Sequence, residues 1–386
     1  MQQYPFPSPD PIPLPAPVWL FKVLNVVTLA LHFVALEILI GGLLIVAVLN
    51  YFGAREGASL RLNQAAHLMA RRLPIVMTYV INLGVPPLLF TQVMYGQALY
   101  TSSILIGLWW FSVIVMLMIA YWLLYKVAER VEARRNAWLM ALGAWLFVGF
   151  IARIYSTNFT LMLRPEDWQG LYEQSALGAV LPMNDPTTTP RWLTMLAGGF
   201  AVAGVWMIWL STMSKASEDV GAYLNALGGK IALVAFALQL GAGYWVYLAQ
   251  PDAVKERLGS QTFYLVSGYG WVALTAVLMA LSALAIVKKP SPMLSWSGAA
   301  AALLAMLAMV NCRDGIRDVT LLSKGFDVWE RNIVTNWSVV AIFLALFVVG
   351  LGVLGWLISV VMRSKEEGEL KLNPSFATES SKEMNK

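Results

Sequence analysis

Histidine, cysteine and charged side chains are scarce in this sequence of 386 residues. The single cysteine, Cys312, excludes a disulfide framework, a CxxCH haem-attachment motif and a cysteine-rich zinc site. Two histidines, His32 and His67, are too few for two haem sites that each use a pair of histidine ligands. Charged residues make up 13% of the chain, whereas a soluble domain has about 25%. The composition therefore excludes an ordinary soluble domain.

Hydrophobic residues, in contrast, make up 59% of the chain and occur in long runs. Nine of these runs have roughly the ~20 residues that an α-helix needs to cross the hydrocarbon core of a bilayer. They lie approximately at 18–50, 74–98, 101–125, 136–160, 192–213, 230–249, 263–287, 294–311 and 336–362. We therefore predict an all-α integral membrane protein, with about nine transmembrane helices in one domain over residues 18–362.

The two ends of the chain differ from these apolar runs. Residues 1–17 are rich in proline and lack the basic stretch of a secretory signal, so we expect the first span to be retained. Residues 363–386 are charged and hold few apolar side chains, which predicts a disordered tail. Most lysines and arginines fall in connections on the side of that tail, which predicts the N-terminus outside and the C-terminus in the cytoplasm. The net charge of +5 comes from these basic connections and does not indicate a nucleic-acid partner.

The connections predicted on the outer side are the longer ones, and they carry both signs of charge. They span residues 161–191, with a helix expected around 166–177, then 250–262 and 312–335. Mixed charge at this density suits a specific polar interface with a partner. It equally suits connections that pair with one another and cap the bundle, and the sequence leaves both interpretations open.

The first apolar run, Val18 to Phe52, contains two residues that a bilayer penalises. His32 is the only histidine in a predicted span, and a neutral imidazole is a common ligand of haem iron. The alternative is a buried histidine that is hydrogen-bonded to a neighbouring helix, while His67 is expected on a basic interfacial helix. Glu37 is a candidate proton-relay carboxylate, or the partner of a buried cation such as Arg153. Arg153 is also a candidate partner of a haem propionate, and a structural ion pair explains an arginine at this position equally well.

The second apolar run is interrupted by Pro86 and Pro87, which predicts a kinked or broken helix. Gln92 and Gln97 follow, so that their amides, together with freed backbone carbonyls, are candidates for a polar pathway. A broken helix also suits a transporter, but no matching break occurs in another part of the chain. Met195, in the fifth run, is a candidate weak axial ligand of haem, although a methionine in a membrane core usually serves packing.

Several of these segments resemble subunit I of cytochrome bd-type quinol oxidases. The segment LGVPPLLFTQVMYGQ, Leu83 to Gln97, is similar to the LGV and EFQFG region of that family, and His32 matches its haem-ligating histidine in the first span. The sequence also resembles a group of bacterial bd-like membrane proteins that are associated with c-type cytochromes. The segments that carry this second resemblance are PIPLPAPVWLFKVL, GVPPLLFTQVMYGQALYTSSIL and NWSVVAIFLALFVVGLGVLGW. The resemblance implies a b-type haem, one at most, with His32 on its iron.

Three departures separate this sequence from an oxygen-reducing quinol oxidase. Gln92 stands where the family has a glutamate, and residues 103–125 contain no carboxylate. Thr194 lies near the position at which the family has a second haem-ligating histidine. The quinol-binding loop is shortened to QPDAVKERLG, and these residues leave open whether a quinone binds.

The resemblance and its departures together imply a bd-like subunit of a respiratory oxidoreductase complex in the bacterial cytoplasmic membrane. We expect electron transfer without oxygen reduction by this chain alone. The implied partners are a c-type cytochrome or other redox subunits, and membrane lipid. The alternative is a haem-free subunit that anchors a periplasmic cytochrome, and a transporter is a third candidate.

Overall fold

The computed structural model describes residues 6–8, 12–55, 57, 59–182, 185–213 and 216–371. These ranges contain twelve α-helices and a 3₁₀ turn at Pro165–Asp167. The helices are α1 (Val18–Gly53), α2 (Leu60–Ala70), α3 (Leu73–Leu105), α4 (Gly107–Glu132), α5 (Trp138–Leu161), α6 (Trp168–Gln174), α7 (Thr188–Met213), α8 (Glu218–Leu248), α9 (Asp252–Ser260), α10 (Thr262–Val287), α11 (Pro292–Ser323) and α12 (Trp337–Lys371).

Nine helical segments in the described ranges are long and apolar enough to cross a membrane. They correspond to α1, α2 with α3, α4, α5, α7, α8, α10, α11 and the first part of α12. The predicted all-α membrane bundle of about nine helices is therefore confirmed. Short helices occupy three of the predicted connections. They include α6, where a helix was expected around residues 166–177, and α2, which carries His67.

Helix boundaries differ from the prediction in three places. The eighth apolar run was expected to end at 311, but α11 continues to Ser323, because its polar residues are received by other helices. Pro86 and Pro87 lie inside α3 with helical backbone angles, and the kink falls instead at Tyr95, with φ −123° and ψ 22°. Helix α12 extends to Lys371, into the tail predicted to be disordered, and the rest of that tail, 372–386, lies outside the described residues.

The chain divides into two compact units. The first comprises residues 1–12 and 18–331, of which residues 1–5 and 9–11 lie outside the described ranges. Its central helices approach closely through glycines. A Cβ at Gly41 of α1 would lie 2.0 Å from the carbonyl oxygen of Gly199, and a Cβ at Gly204 of α7 would lie 2.7 Å from that of Gly228. Small residues allow such close helix packing in membranes, and they hold α1, α7 and α8 together.

The second unit consists of residues 13–17 together with 332–386, of which residues 372–386 lie outside the described ranges. Its two segments pair through a bridge between Leu14 and Ile333, in which Leu14 donates to the Asn332 carbonyl at 2.8 Å and Val334 donates to Leu14 at 3.0 Å. Asn336 then caps α12, because its side-chain oxygen accepts a hydrogen bond from the Val339 amide at 3.2 Å.

Candidate functional site

A cluster of charged side chains is buried in the first unit, at the end of the bundle where α1 begins. Lys22 donates hydrogen bonds to Asp314 at 2.8 Å and to Asp318 at 2.5 Å. These three residues are each at most 8% exposed. Buried charges are stable only when they are paired and hydrogen-bonded, so Lys22 of α1 and the two carboxylates of α11 depend on one another.

Two tyrosines complete the hydrogen bonds of Asp318. The Tyr95 hydroxyl donates to Asp318 Oδ1 at 2.6 Å and also contacts the Lys22 ammonium group. The Tyr264 hydroxyl, from α10, donates to Asp318 Oδ2 at 3.0 Å. Tyr95 is fully buried and is the residue at which α3 leaves helical geometry. The kink of α3 therefore lies at the residue that enters the cluster.

Arg317 adds a second cation. Its Nη1 lies 3.3 Å from Asp314 Oδ1, and its guanidinium lies 4.9 Å from the centre of the Tyr95 ring. The two carboxylates are thus balanced by one lysine and one arginine. We call this set the Lys22 cluster, and its members are Lys22, Tyr95, Tyr264, Asp314, Arg317 and Asp318. It connects α1, α3, α10 and α11.

Sequence reasoning missed this cluster, although two signals were present. Lys22 is the only lysine or arginine in the apolar run 18–50, and such a residue implies a buried partner. Asp314, Arg317 and Asp318 were assigned to a connection, yet their i, i+3, i+4 spacing places them on one face of a helix. The missing information was which other helix would receive that face.

His32 lies against α3. Its Nδ1 is 2.9 Å from the carbonyl oxygen of Val80, and a Cβ at Gly84 would come within 2.9 Å of the imidazole ring. A carbonyl oxygen only accepts hydrogen bonds, so Nδ1 carries the proton in the neutral ring and Nε2 keeps its lone pair. The imidazole is therefore held in one orientation by the α3 backbone.

Glu37 lies deeper along α1, where it faces α7 and α8. A Cβ at Gly198 would lie 2.4 Å from Glu37 Oε1 and 2.5 Å from the side-chain nitrogen of Gln239, so both side chains pack over that glycine. Glu37 Oε2 has no hydrogen-bond partner among the described residues. A cavity of about 10 Å³ adjoins Glu37, Gln239 and Thr275, roughly the space for one water molecule.

The other predicted polar-pathway residues do not join Glu37. The amide of Gln97 donates to the carbonyl of Pro7 at 2.5 Å, near the end of α3. Because Tyr95 contacts Lys22, this end of α3 lies beside the start of α1, and Glu37 is fifteen residues farther along α1. That separation is about 22 Å at 1.5 Å per residue. Gln92 is half-buried, at a height in the bundle between those of Lys22 and Glu37.

The two further cofactor candidates also occupy distinct environments. Met195 is half-buried and packs against the main apolar core. Arg153 is half-buried, and its Nε is enclosed without a hydrogen-bond partner among the described residues. The Glu37–Arg153 ion pair, one of the alternatives from the sequence, is not formed in the described part of the chain.

A cavity of about 290 Å³ opens between the end of α5, helix α6 and the start of α7. Its polar rim is internally paired. Arg164 lies 2.9 Å from Asp167 and 3.4 Å from Asp185, and Lys324 lies 2.5 Å from Glu166. These contacts agree with the interpretation in which the charged connections pair with one another.

Comparison with known proteins identifies the architecture. Neither a protein-family model nor a curated protein sequence matches this chain. Among solved structures, the bd oxidase from Geobacillus thermodenitrificans is similar, with a TM-score of 0.69 and 13% sequence identity. The match covers 92% of this chain and 100% of the other. The resemblance seen in the sequence is confirmed for the backbone, and this chain has a distant bd oxidase-like helical membrane fold.

Proposed function

We propose that this chain is a bd-like membrane subunit of a bacterial respiratory complex, and that it transfers electrons through one b-type haem held by His32. The observation that supports this most directly is the orientation of the His32 ring by the Val80 carbonyl. The similarity of the fold to a bd oxidase supports the same assignment.

The residues at His32 fit one axial haem ligand. Histidines that ligate metals usually donate their other ring N–H to a carbonyl or a carboxylate, which fixes the tautomer. His32 has that arrangement, because Nδ1 is bonded to Val80 and Nε2 keeps the lone pair that iron requires. The haem would supply a one-electron carrier. Met195 would be a further ligand of the iron, and Arg153 would pair with a propionate.

A substitution of His32 tests this proposal. We expect His32→Ala to abolish the Soret band of the purified protein while the protein still inserts into the membrane. His67→Ala is the matched control, because it removes the other histidine from α2 and should leave the band unchanged. The measurement is a reduced-minus-oxidised visible spectrum, with haem quantified as the pyridine haemochrome. Wild-type protein without haem absorbance would sink the electron-transfer assignment.

The proposed function excludes oxygen reduction by this chain alone. Residues 103–125 offer no carboxylate for proton delivery, and the connection 250–262 is short. We expect the purified subunit to consume no oxygen with a quinol donor. An oxygen electrode measures this directly, with a cyanide-insensitive bd oxidase preparation as the positive control. Sustained quinol-dependent uptake after removal of every other subunit would show that the expectation is wrong.

We further propose that the end of the bundle with the Lys22 cluster faces the outside, where a c-type cytochrome or another redox subunit docks. The distribution of lysine and arginine supports this orientation. The short helices α6 and α9 lie in connections at this end and present a folded polar surface to a partner.

One observation favours the second candidate, a haem-free anchoring subunit. The His32 ring lies close against the backbone at Gly84, which is also how a buried structural histidine packs. The haem measurement above separates the two functions, since an anchoring subunit would contain no stoichiometric haem and would still copurify with its cytochrome.

A further inference from the structure

Two arginines next to the Lys22 cluster have no ionic partner within hydrogen-bonding distance among the described residues. Arg313, on α11, makes no ion pair there, and its guanidinium instead lies over two aromatic rings. Arg191, on α7, has an enclosed Nε without a hydrogen-bond partner. An unpaired charge is costly to remove from water. A second charge of the same sign nearby raises that cost.

The aromatic contacts of Arg313 leave its hydrogen-bond donors available. Its guanidinium lies 5.5 Å from the centre of the Phe33 ring and 5.3 Å from that of Phe159. Ring contacts of this kind use the charge of a guanidinium but none of its N–H groups. The planar set of N–H donors is thus free to bind a carboxylate or a phosphate by two parallel hydrogen bonds.

The nearby carboxylates are already engaged. Asp314 and Asp318 bind Lys22, and Asp314 also faces Arg317. Asp185, the acidic residue within electrostatic range of Arg191, lies 3.4 Å from Arg164. Arg191, Arg317 and Asp314 are all within electrostatic range of Arg313. Because Asp314 already binds Lys22 and Arg317, positive charge exceeds negative charge at this position.

A cavity lies near Arg191 along α7. The cavity of about 290 Å³ is lined by Thr188, which precedes Arg191 by one helical turn on α7. It is also lined by Thr157, whose buried hydroxyl has no hydrogen-bond partner among the described residues. An enclosed polar surface of this kind usually holds a ligand or water.

We propose that Arg313 and Arg191 form a binding site for the carboxylate or phosphate group of an anionic ligand. The site lies beside His32, because the Phe33 ring under Arg313 is 5.8 Å from the imidazole. One source of the anion is a propionate of the haem, an assignment that rests on the proposed function. The other source is the phosphate of a phospholipid headgroup, which requires no haem.

The test uses the full-length purified protein with three charge-removing variants. Arg313→Gln and Arg191→Gln each remove one member of the site. Lys324→Gln is the matched control, because it removes a positive charge from an existing ion pair with Glu166. Native mass spectrometry counts copurified phospholipid, the pyridine haemochrome counts haem, and thermal unfolding is followed during titration with inorganic phosphate against chloride of equal ionic strength.

We expect wild-type protein to retain haem or phospholipid, or to be stabilised by phosphate beyond chloride. Arg313→Gln should weaken phosphate binding or phospholipid occupancy about tenfold, since a charge-assisted hydrogen bond is lost. Arg313→Lys should recover part of that loss, and Lys324→Gln should resemble wild type. If the anion is a propionate, Arg313→Gln should keep the Soret band but lower the haem midpoint potential, because a nearby positive charge favours the reduced state.

Several outcomes would overturn the site. One is that Arg313→Gln behaves as Lys324→Gln in all three measurements. Another is that Arg313→Gln raises the unfolding temperature, as expected when an unpaired charge is removed from an empty position. If Arg313→Gln does not accumulate in cells, the wild-type protein provides the test. Wild-type protein that retains no anion and is not stabilised by phosphate would overturn the site. Wild-type protein without haem but with Arg313-dependent phospholipid would overturn the proposed function and support this site. Wild-type protein with haem, in which neither the haem potential, the phospholipid occupancy nor the phosphate binding depends on Arg313, would support the proposed function and overturn this site.

Discussion

Helix α1 accommodates three ionisable side chains inside the bundle, each by a different physical means. Lys22 is neutralised by two carboxylates, and His32 is hydrogen-bonded to the Val80 carbonyl. Glu37 has one oxygen without a partner in the described part of the chain, and a space for about one water molecule lies beside it. These arrangements lead to different expectations for substitution.

At Gly84, we expect an alanine to displace the His32 ring. The added Cβ would lie 2.9 Å from the ring carbon Cε1 and 3.0 Å from Nδ1, too close for ordinary contact. Overpacking of this kind costs about 1–3 kcal/mol, and displacement of the ring should also lower haem occupancy. Gly149→Ala is the control, since nothing lies within 4 Å of its added Cβ. Equal haem content and equal unfolding temperature in the two variants would contradict the expectation.

We expect Asp318→Asn and Glu37→Gln to lower the free energy of unfolding by very different amounts. Asp318 accepts hydrogen bonds from Lys22, Tyr95 and Tyr264, and removal of one partner of a buried ion pair costs about 3–5 kcal/mol. Glu37→Gln keeps the shape of a side chain with an unpaired oxygen and should cost less than about 1 kcal/mol. Thermal unfolding of the two variants in the same detergent measures both losses of stability. A larger loss for Glu37→Gln would show that this carboxylate has a partner essential for stability.

Among the helices, α3 and α11 depart most from what their sequences indicate. The prolines of α3 retain helical angles, whereas Tyr95 does not. Its side chain is drawn into the Lys22 cluster, and hydrogen bonds to a charged pair offset the loss of regular helix geometry. We therefore expect the kink to depend on this contact between helices and not on the missing N–H groups of the prolines.

Substitution of the Tyr95 hydroxyl tests the importance of that contact. We expect Tyr95→Phe to cost about 1–3 kcal/mol, because Asp318 loses a donor while buried, and to speed hydrogen exchange in residues 95–105. Tyr100→Phe is a control in the same helix, since Tyr100 is 54% exposed. Hydrogen–deuterium exchange mass spectrometry compares the two variants. Unchanged exchange in Tyr95→Phe would indicate that the kink is intrinsic to the α3 backbone.

For the whole molecule, orientation in the membrane is the property on which the proposed direction of electron flow depends. The lysines at the end with the Lys22 cluster are poor probes of orientation, because Lys324 and Lys255 are engaged by Glu166 and Asp252. Single cysteines in a Cys312→Ser background are better. Leu177, at the end of the bundle with the Lys22 cluster, is 83% exposed, and the Lys289 side chain, at the opposite end, is 90% exposed.

We expect a membrane-impermeant maleimide, added to intact spheroplasts, to label Leu177→Cys and to leave Lys289→Cys unlabelled. Labelling after the membrane is permeabilised serves as the control for reactivity of both cysteines. A photo-reactive cross-linker on Leu177→Cys should then capture a c-type cytochrome or another redox subunit in native membranes. The reverse labelling pattern would invert the proposed orientation and place the docking surface at the opposite end.

The sequence by itself determined the class of the fold and the number of membrane-crossing helices. Both follow from the length and polarity of apolar runs, since a bilayer imposes the same requirement on every span. It also pointed to His32 and Glu37, because a polar residue in an apolar run is visible without knowledge of its neighbours. Only the tertiary structure decided which polar residues meet. Lys22 and Asp318 are 296 residues apart. The partner of a buried charge depends on which helices pack together. The Lys22 cluster, the kink at Tyr95 and the lack of ionic partners for Arg191 and Arg313 among the described residues therefore appear only when the helices are assembled.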